Sequence, residues 1–223
     1  MSEQNPALSL ELHGVEQAPL GGGVAQLTLR TDAGEIVGRL HPAAPGEGAV
    51  LWVGGAGGGL DGPANGLYPR LAAQLAPDQV ASLRLHYRLP NHLDACVLDT
   101  LMGVAYLGTL GHARVALVGH SFGGAVVISA GAASPAVVGV AALSSQTYGT
   151  TAVVDLSPRP LLLMHGIDDE VLPDSCSRDL YQRAHEPKQL LLYPGCHHGL
   201  EECQAELDRD LLAWLRQVAL ATR

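Results

Sequence analysis

Ser121 lies in the pattern Gly-X-Ser-X-Gly, written here as Gly-His-Ser-Phe-Gly between Gly119 and Gly123. The apolar run VALV precedes the pattern, and the small-residue segment GGAVVISAGAA follows it. A strand, a sharp turn and a helix in this order hold a serine in a strained conformation with its hydroxyl exposed. Glycines are needed on both sides because side chains there would collide across the turn. A helix-capping serine would not need them, so the pattern predicts a nucleophile at Ser121.

A serine hydroxyl attacks a carbonyl only when a base takes its proton, so a histidine must lie within reach. His197 and His198 stand in the segment YPGCHHG, between the last predicted strand and the last predicted helix. Loops that follow parallel strands gather at one edge of the sheet, where Ser121 is also expected. Both histidines fit this placement. His120 is expected to pack in the turn, because neighbouring side chains point apart.

A carboxylate must orient the histidine and stabilise its protonated form. The segment HGIDDEVLP follows another predicted strand and contains Asp168 and Asp169. Asp155, after an earlier strand, is a more remote candidate. A solvated acidic loop would also explain part of this segment. The chain order serine, acid, histidine is nevertheless the order expected for a serine on a strand-to-helix turn.

Acyl transfer places negative charge on the substrate oxygen, and backbone N–H groups must meet it. One expected donor is the N–H of Phe122, and the other lies in the Gly-rich loop after the strand AVLWV. We expect Ala56 to supply it, with Gly57 as the alternative. The expected substrate pocket comprises Gly55, Gly57, Leu60 and Tyr148, next to the loop of residues 146–151.

The same Gly-rich loop does not fit a dinucleotide site. A Gly-X-Gly-X-X-Gly pattern that starts at Gly55 would need glycine where Leu60 stands, and no helix begins there at once. The four cysteines show no metal-ligand spacing, so we expect neither a cofactor nor a metal. They also show no CxxC pair, which argues against redox use and favours a reducing cytoplasm.

Strand-like apolar runs alternate with helical patterns along the chain. The strands are predicted at residues 49–53, 80–86, 115–118, 137–143, 161–164 and 189–193. Helices are predicted at 66–75, at 93–104, directly after Ser121, and at 207–218. Asn91 is the expected N-cap of the second helix, and Glu201 and Glu202 are the expected acidic start of the last. This alternation predicts an α/β fold with a mostly parallel central sheet and helices on both faces. Residues 8–42 instead predict antiparallel strands at the N-terminal edge.

Composition limits the classes of partner. The 223 residues fit one domain over 1–223, and a net charge of −9 without a basic run argues against nucleic acid. The N-terminus has no signal-peptide pattern, and no apolar run is long enough to span a membrane. The expected partner is a small-molecule acyl substrate.

The motifs and their order resemble the α/β-hydrolase superfamily over roughly residues 48–220. Its late loop often reads GxGHG or GxxHG with the catalytic histidine before the glycine, which implies His198. Its acid often stands four places after the histidine of HGxxDxxVP, which implies Asp169. Val171 and Pro173 are offset from the most frequent form of that loop, where valine and proline are neighbours.

Residues 144–160 are too few for the helical lid of lipase-like members. A lidless layout resembles the dienelactone hydrolase and small carboxylesterase branch, which implies a serine hydrolase of small soluble esters. The loop GGAGGGL also resembles the acyl-CoA thioesterase branch, so a thioester is the alternative substrate. A non-catalytic ligand-binding module on the same fold is a third hypothesis.

Overall fold

The computed structural model describes residues 9–45 and 48–220. The strands are β1 (Leu12–Gly21), β2 (Val24–Thr31), β3 (Gly34–His41), β4 (Ala49–Val53), β5 (Ala81–His86), β6 (Val115–His120), β7 (Val137–Leu143), β8 (Leu161–Gly166) and β9 (Lys188–Tyr193). The helices are α1 (Pro63–Leu75), α2 (Leu93–Thr109), α3 (Phe122–Ala133), α4 (Ser175–Arg183) and α5 (Gln204–Ala219). Short 3-10 helices cover Ala76–Asp78 and Thr151–Asp155.

The strands form one sheet of nine in the order β1-β2-β3-β5-β4-β6-β7-β8-β9. Neighbouring strands in the series β5-β4-β6-β7-β8-β9 are all parallel. At the other edge, β1 pairs antiparallel with β2, β2 with β3, and β3 with β5. The predicted α/β sheet with an antiparallel N-terminal edge is therefore confirmed. Residue 8, where the edge segment was expected to begin, lies outside the described residues.

Two apolar layers cover the two faces of the sheet. In β8, Leu161 and Leu163 join the layer under α2, α3 and α4, while Leu162 and Met164 join the layer under α1 and α5. Alternate residues of a strand point to opposite faces, so a strand with helices on both sides is apolar throughout. The predicted α5 stripe is buried in the second layer. None of the described helices is long and apolar enough to cross a bilayer.

The residues that precede two helices differ in role from the sequence prediction. α2 begins at Leu93 without a side-chain cap, because Asn91 has a left-handed backbone (φ 66°) and belongs to the preceding turn. α5 begins at Gln204, so Glu201 and Glu202 precede it and Glu206 is the acid of its first turn. α2 thus begins at the predicted residue with His92 in the cap position, and α5 begins three residues before the predicted 207.

A disulfide bond joins Cys196 to Cys203 within the loop between β9 and α5. The sequence analysis expected reduced cysteines and did not predict this pair, because a separation of seven residues matches no common motif. Cys196 is fully buried and Cys203 is 6% exposed. The bond closes the loop that carries His197 and His198 and so restricts the backbone around both.

Thiol labelling tests this pairing. Under denaturing, non-reducing conditions we expect an alkylating reagent to modify Cys96 and Cys176, which are free, and to reach the other two only after reduction. Cys203→Ser should lower the free energy of unfolding by about 2 kcal/mol, because a short closed loop is released in the unfolded chain. Cys176→Ser is the matched control. Full labelling without a reductant would contradict the pairing.

Candidate active site

The turn between β6 and α3 holds Ser121 in an unusual backbone conformation, with φ 57° and ψ −120°. Its N–H donates to the carbonyl of Leu143 on β7 at 2.8 Å. A Cβ atom added to Gly119 would lie 2.1 Å from the carbonyl oxygen of Gly123, and one added to Gly123 would lie 2.3 Å from that of Gly54. These approaches explain the two glycines, because real Cβ atoms do not come so close to backbone oxygens.

Ser121, His198 and Asp169 form one hydrogen-bonded array. The Nε2 atom of His198 lies 3.1 Å from Oγ of Ser121, and its Nδ1 atom lies 2.8 Å from Oδ2 of Asp169. The three residues follow β6, β9 and β8, whose carboxyl ends meet at one edge of the sheet. The Asp169 side chain is fully buried, and that of His198 is 17% exposed. The structure thus brings together the three residues that the sequence predicted.

Asp169 carries its negative charge inside the protein because several donors surround it. Its Oδ1 atom accepts the N–H groups of Val171 at 2.9 Å and Leu172 at 2.8 Å. Burial acts to raise the pKa of Asp169, but the Leu172 N–H, His198 and the Val171 N–H together outweigh it and hold the pKa below its usual value. The carboxylate is therefore ionised at neutral pH and able to fix the ring of His198.

His165 contacts the same carboxylate from the other side. Its Nε2 atom lies 3.1 Å from Oδ2 of Asp169 and 2.9 Å from the carbonyl oxygen of Leu172, and its Nδ1 atom lies 2.7 Å from Oγ of Ser177. A ring with its proton on Nε2 satisfies all three contacts if Ser177 donates its hydroxyl hydrogen. His165 is the first residue of the segment HGIDDEVLP, where the sequence pattern predicted a role only for the acid.

His120 packs in the turn, and it also contacts the backbone of His198. Its Nε2 atom donates to the carbonyl oxygen of His198 at 2.9 Å, and the two rings lie 4.9 Å apart. Burial lowers the pKa of His120 to about 4, so its ring is neutral at ordinary pH and keeps one nitrogen free of a proton. This hydrogen bond attaches the loop that carries His198 to the turn that carries Ser121, while the disulfide closes that loop on itself.

The alternative candidates for the base and the acid lie outside the hydrogen-bonded array. His197 is exposed and bonds to Glu170 at 3.0 Å, and that hydrogen bond raises its pKa. Asp168 is exposed and accepts the N–H of Gly195 at 2.7 Å. Asp155 lies exposed in the second 3-10 helix. Among the described residues, none of the three bonds to Ser121 or to the ring of His198.

The Gly-rich loop after β4 lies beside Ser121. A Cβ atom added to Gly55 would lie 3.4 Å from the Cβ atom of Ser121. The hydroxyls of two tyrosines hold the strand end, since Tyr68 donates to the Val53 carbonyl at 2.7 Å and Tyr87 to the Gly54 carbonyl at 3.1 Å.

Two backbone amides near the serine are available to a ligand. The N–H of Ala56 has no hydrogen-bond partner within the described part of the chain. That of Phe122 stands at the first position of α3, where a helix offers no partner.

Two cavities flank the serine. The large cavity, about 660 Å³, is lined by residues that include Leu89, His92, Asp94, Phe122, Gln146 and Tyr148. The small cavity, about 380 Å³, is lined by residues that include Gly55, Leu60, Asp61, His120, Gly199 and Glu201. Of the predicted pocket residues, Leu60, Tyr148 and Gly55 line these cavities, and Gly57 lines neither. Sequence reasoning missed the loop between β5 and α2, although it too follows a parallel strand.

Known proteins with similar chains share this architecture. The dienelactone hydrolase of Anabaena variabilis superposes with a TM-score of 0.76 at 18% identity, over 93% of this chain and 100% of that one. XC6422 of Xanthomonas campestris, described as an α/β serine hydrolase without a lid, superposes with a TM-score of 0.70 at 18% identity, over 92% and 100%. Both likenesses show the α/β-hydrolase fold.

Two further proteins are similar to this chain in sequence over shorter stretches. The uncharacterised protein YfhR of Escherichia coli is 44% identical over 57 residues, which are 25% of this chain and 20% of that protein. The bifunctional esterase/perhydrolase DCH of Acinetobacter calcoaceticus is 37% identical over 73 residues, 32% and 26% of the two chains. The matches thus span about a quarter or less of these relatives. A profile of the dienelactone hydrolase family matches residues 66–221, more than half of the sequence, and the chain belongs to that family.

Proposed function

We propose that this hydrolase-family protein is a serine hydrolase that cleaves a small ester through an acyl-enzyme on Ser121. The observation that carries the proposal is the continuous hydrogen-bonded array from Oγ of Ser121 through His198 to Asp169. A serine, a histidine and a buried carboxylate in this geometry supply a nucleophile, a base and a group that orients the base.

Acylation begins when Nε2 of His198 takes the proton of Ser121 as Oγ attacks the ester carbonyl carbon. The ionised Asp169 stabilises the imidazolium that results. The carbonyl oxygen gains negative charge and accepts hydrogen bonds from the N–H groups of Phe122 and Ala56. The intermediate then collapses, the bond to the alcohol oxygen breaks, and the alcohol leaves with the proton from His198.

Deacylation repeats these steps with water. His198 takes a proton from water as its oxygen attacks the acyl carbon, and the bond to Oγ breaks when the proton returns to Ser121. The acid product is released and the free enzyme is restored. No other group is needed, because the proton that leaves the nucleophile returns to the leaving group in each half-reaction.

The proposed substrate size follows from the loops above the serine. Residues 144–160 contain only the short 3-10 helix Thr151–Asp155, and Tyr148 in that connection is 80% exposed. An uncovered site buries little of a long acyl chain, which favours small, soluble esters. The esterase activity in the name of the Acinetobacter relative agrees with this substrate class.

The state of the cysteines bears on the cellular compartment of the protein. A cytoplasmic location was expected from the absence of cysteine motifs, whereas Cys196 and Cys203 form a disulfide bond. Disulfide bonds persist mainly in oxidising compartments.

Ser121→Ala tests the nucleophile. We expect the variant to lose at least about 10⁴-fold in kcat for a p-nitrophenyl ester and to lose labelling by a fluorophosphonate, since no other group forms the acyl-enzyme. Ser134→Ala, at the other end of α3, is the matched control and should keep both properties. Equal labelling of Ser121→Ala would contradict the proposal. Faster turnover of the matching thioester would identify a thioesterase, and no labelling of either protein would favour a binding module.

His165→Ala tests the second contact to the carboxylate. Loss of one hydrogen bond to a charged group should lower kcat by about tenfold or more while KM stays nearly constant, because the substrate does not touch this residue. His165→Gln retains a donor and should recover part of kcat. His197→Ala, an exposed histidine of the neighbouring loop, should change kcat little. An unchanged kcat in His165→Ala would show that His165 does not position Asp169.

A further inference from the structure

Carboxylates surround the opening above Ser121. The loops that follow β4, β5, β7, β8 and β9 all end at the edge of the sheet where the serine lies. Besides the buried Asp169 and Asp174, which pairs with Arg178, their acidic residues, with the first turn of α2 included, are Asp61, Asp94, Asp155, Asp168, Glu170, Glu201 and Glu202. Their basic residues other than histidine are Arg88 and Arg159. The mouth of the site thus has an excess of negative charge.

The arginines nearest this opening are already paired. Arg88 bonds through Nε to the buried carboxylate of Asp99 at 2.5 Å and through a second nitrogen to the carbonyl of Ala33 at 3.1 Å. Arg84 bonds to Asp61 at 2.9 Å and to the carbonyl of Leu60, and its side chain is only 9% exposed. Neither guanidinium has an exposed face that could bind an anionic substrate.

Both cavities beside the serine carry a carboxylate without a cation. Asp94 lines the large cavity together with Phe122, and Glu201 lines the small cavity together with His120. Within residues 9–45 and 48–220, neither Asp94 nor Glu201 forms an ion pair. Of the lysines and arginines in the described part of the chain, none lines either cavity. A substrate group in either cavity therefore meets a carboxylate that no ion pair neutralises.

We infer that the site accepts neutral or cationic esters and discriminates against substrates that carry a carboxylate or a phosphate. This inference rests on the proposed serine-hydrolase function and names the substrate class of the same site. Asp94 is the specificity-determining residue for the group in the large cavity. The thioester of coenzyme A, which carries several phosphate charges, is accordingly a poor substrate, whereas a short uncharged thioester is not excluded by charge.

The size of the effect follows from Coulomb's law. A substrate anion about 7 Å from one exposed carboxylate is disfavoured by roughly threefold to tenfold for effective dielectric constants near 80 to 40. Several carboxylates around one opening act together, and their field acts on the encounter as well as on the bound state. Dissolved salt screens exposed charges, so the discrimination must weaken as ionic strength rises.

Three p-nitrophenyl esters of matched length test the inference: the hemiadipate, its neutral methyl ester, and an analogue whose acyl chain ends in trimethylammonium. We expect kcat/KM at low salt to be at least about tenfold lower for the hemiadipate than for the methyl ester, and at least as high for the cationic ester. At about 0.5 M salt the ratio of kcat/KM between the methyl ester and the hemiadipate should fall severalfold. Rates are corrected for the Ser121→Ala protein, so only turnover that depends on Ser121 is compared.

Asp94→Asn replaces one carboxylate by a neutral amide of nearly the same shape. The ratio of kcat/KM for the methyl ester to that for the hemiadipate should fall by roughly threefold or more. Glu16→Gln is the matched control, because it removes one charge on β1, five positions along the sheet from β6, and should leave the ratio unchanged.

A hemiadipate cleaved as fast as the methyl ester, with turnover that depends on Ser121, would overturn the inference and leave the hydrolase proposal intact. Loss of Ser121 dependence for all three esters would overturn both.

Discussion

The close backbone contact between the end of β4 and the start of α3 is the constraint on which the rest of the site depends. Gly123 approaches the Gly54 carbonyl so closely that no side chain fits between them, and Gly119 does the same with Gly123. The chain can therefore turn from β6 into α3 within one residue, and Ser121 takes up the strained conformation of that turn. The same contact brings the Gly-rich loop beside the serine, where Ala56 and Phe122 offer free amides.

A second constraint is the buried charge of Asp169. An ionised carboxylate inside a protein is costly unless donors surround it, and here two backbone amides, His198 and His165 lie around it. Because these donors come from two different loops, the carboxylate joins the β8 loop to the β9 loop. His120 attaches the same β9 loop to the turn that carries Ser121, and the disulfide bond closes the loop on itself. The base proposed for the reaction is thus held at its ring, its backbone and its flanking residues.

Local patterns predicted much of this structure. The runs at 49–53 and 137–143 match β4 and β7 to the residue, because strands covered on both faces must be apolar throughout. Ser121, Asp169 and His198 were named from motifs and chain order, and the structure brings them within hydrogen-bonding distance. The disulfide, the contact of His165 with Asp169 and the Asp94 side of the large cavity were missed. The disulfide and the His165 contact are local pairs, seven and four residues apart, but their spacing alone does not show that the side chains meet. The Asp94 side of the cavity depends on how separate loops meet in space, which local patterns do not encode.

The central claim is that Ser121 attacks a carbonyl whose oxygen then meets the two free amides. A crystal structure of the protein after reaction with a small fluorophosphonate tests it most directly, since the tetrahedral phosphorus mimics the intermediate. The account predicts a bond from phosphorus to Oγ of Ser121, with the phosphonyl oxygen about 3 Å from the N–H groups of Phe122 and Ala56. A phosphonyl group on another residue, or one on Ser121 whose oxygen faces away from both amides, would contradict it.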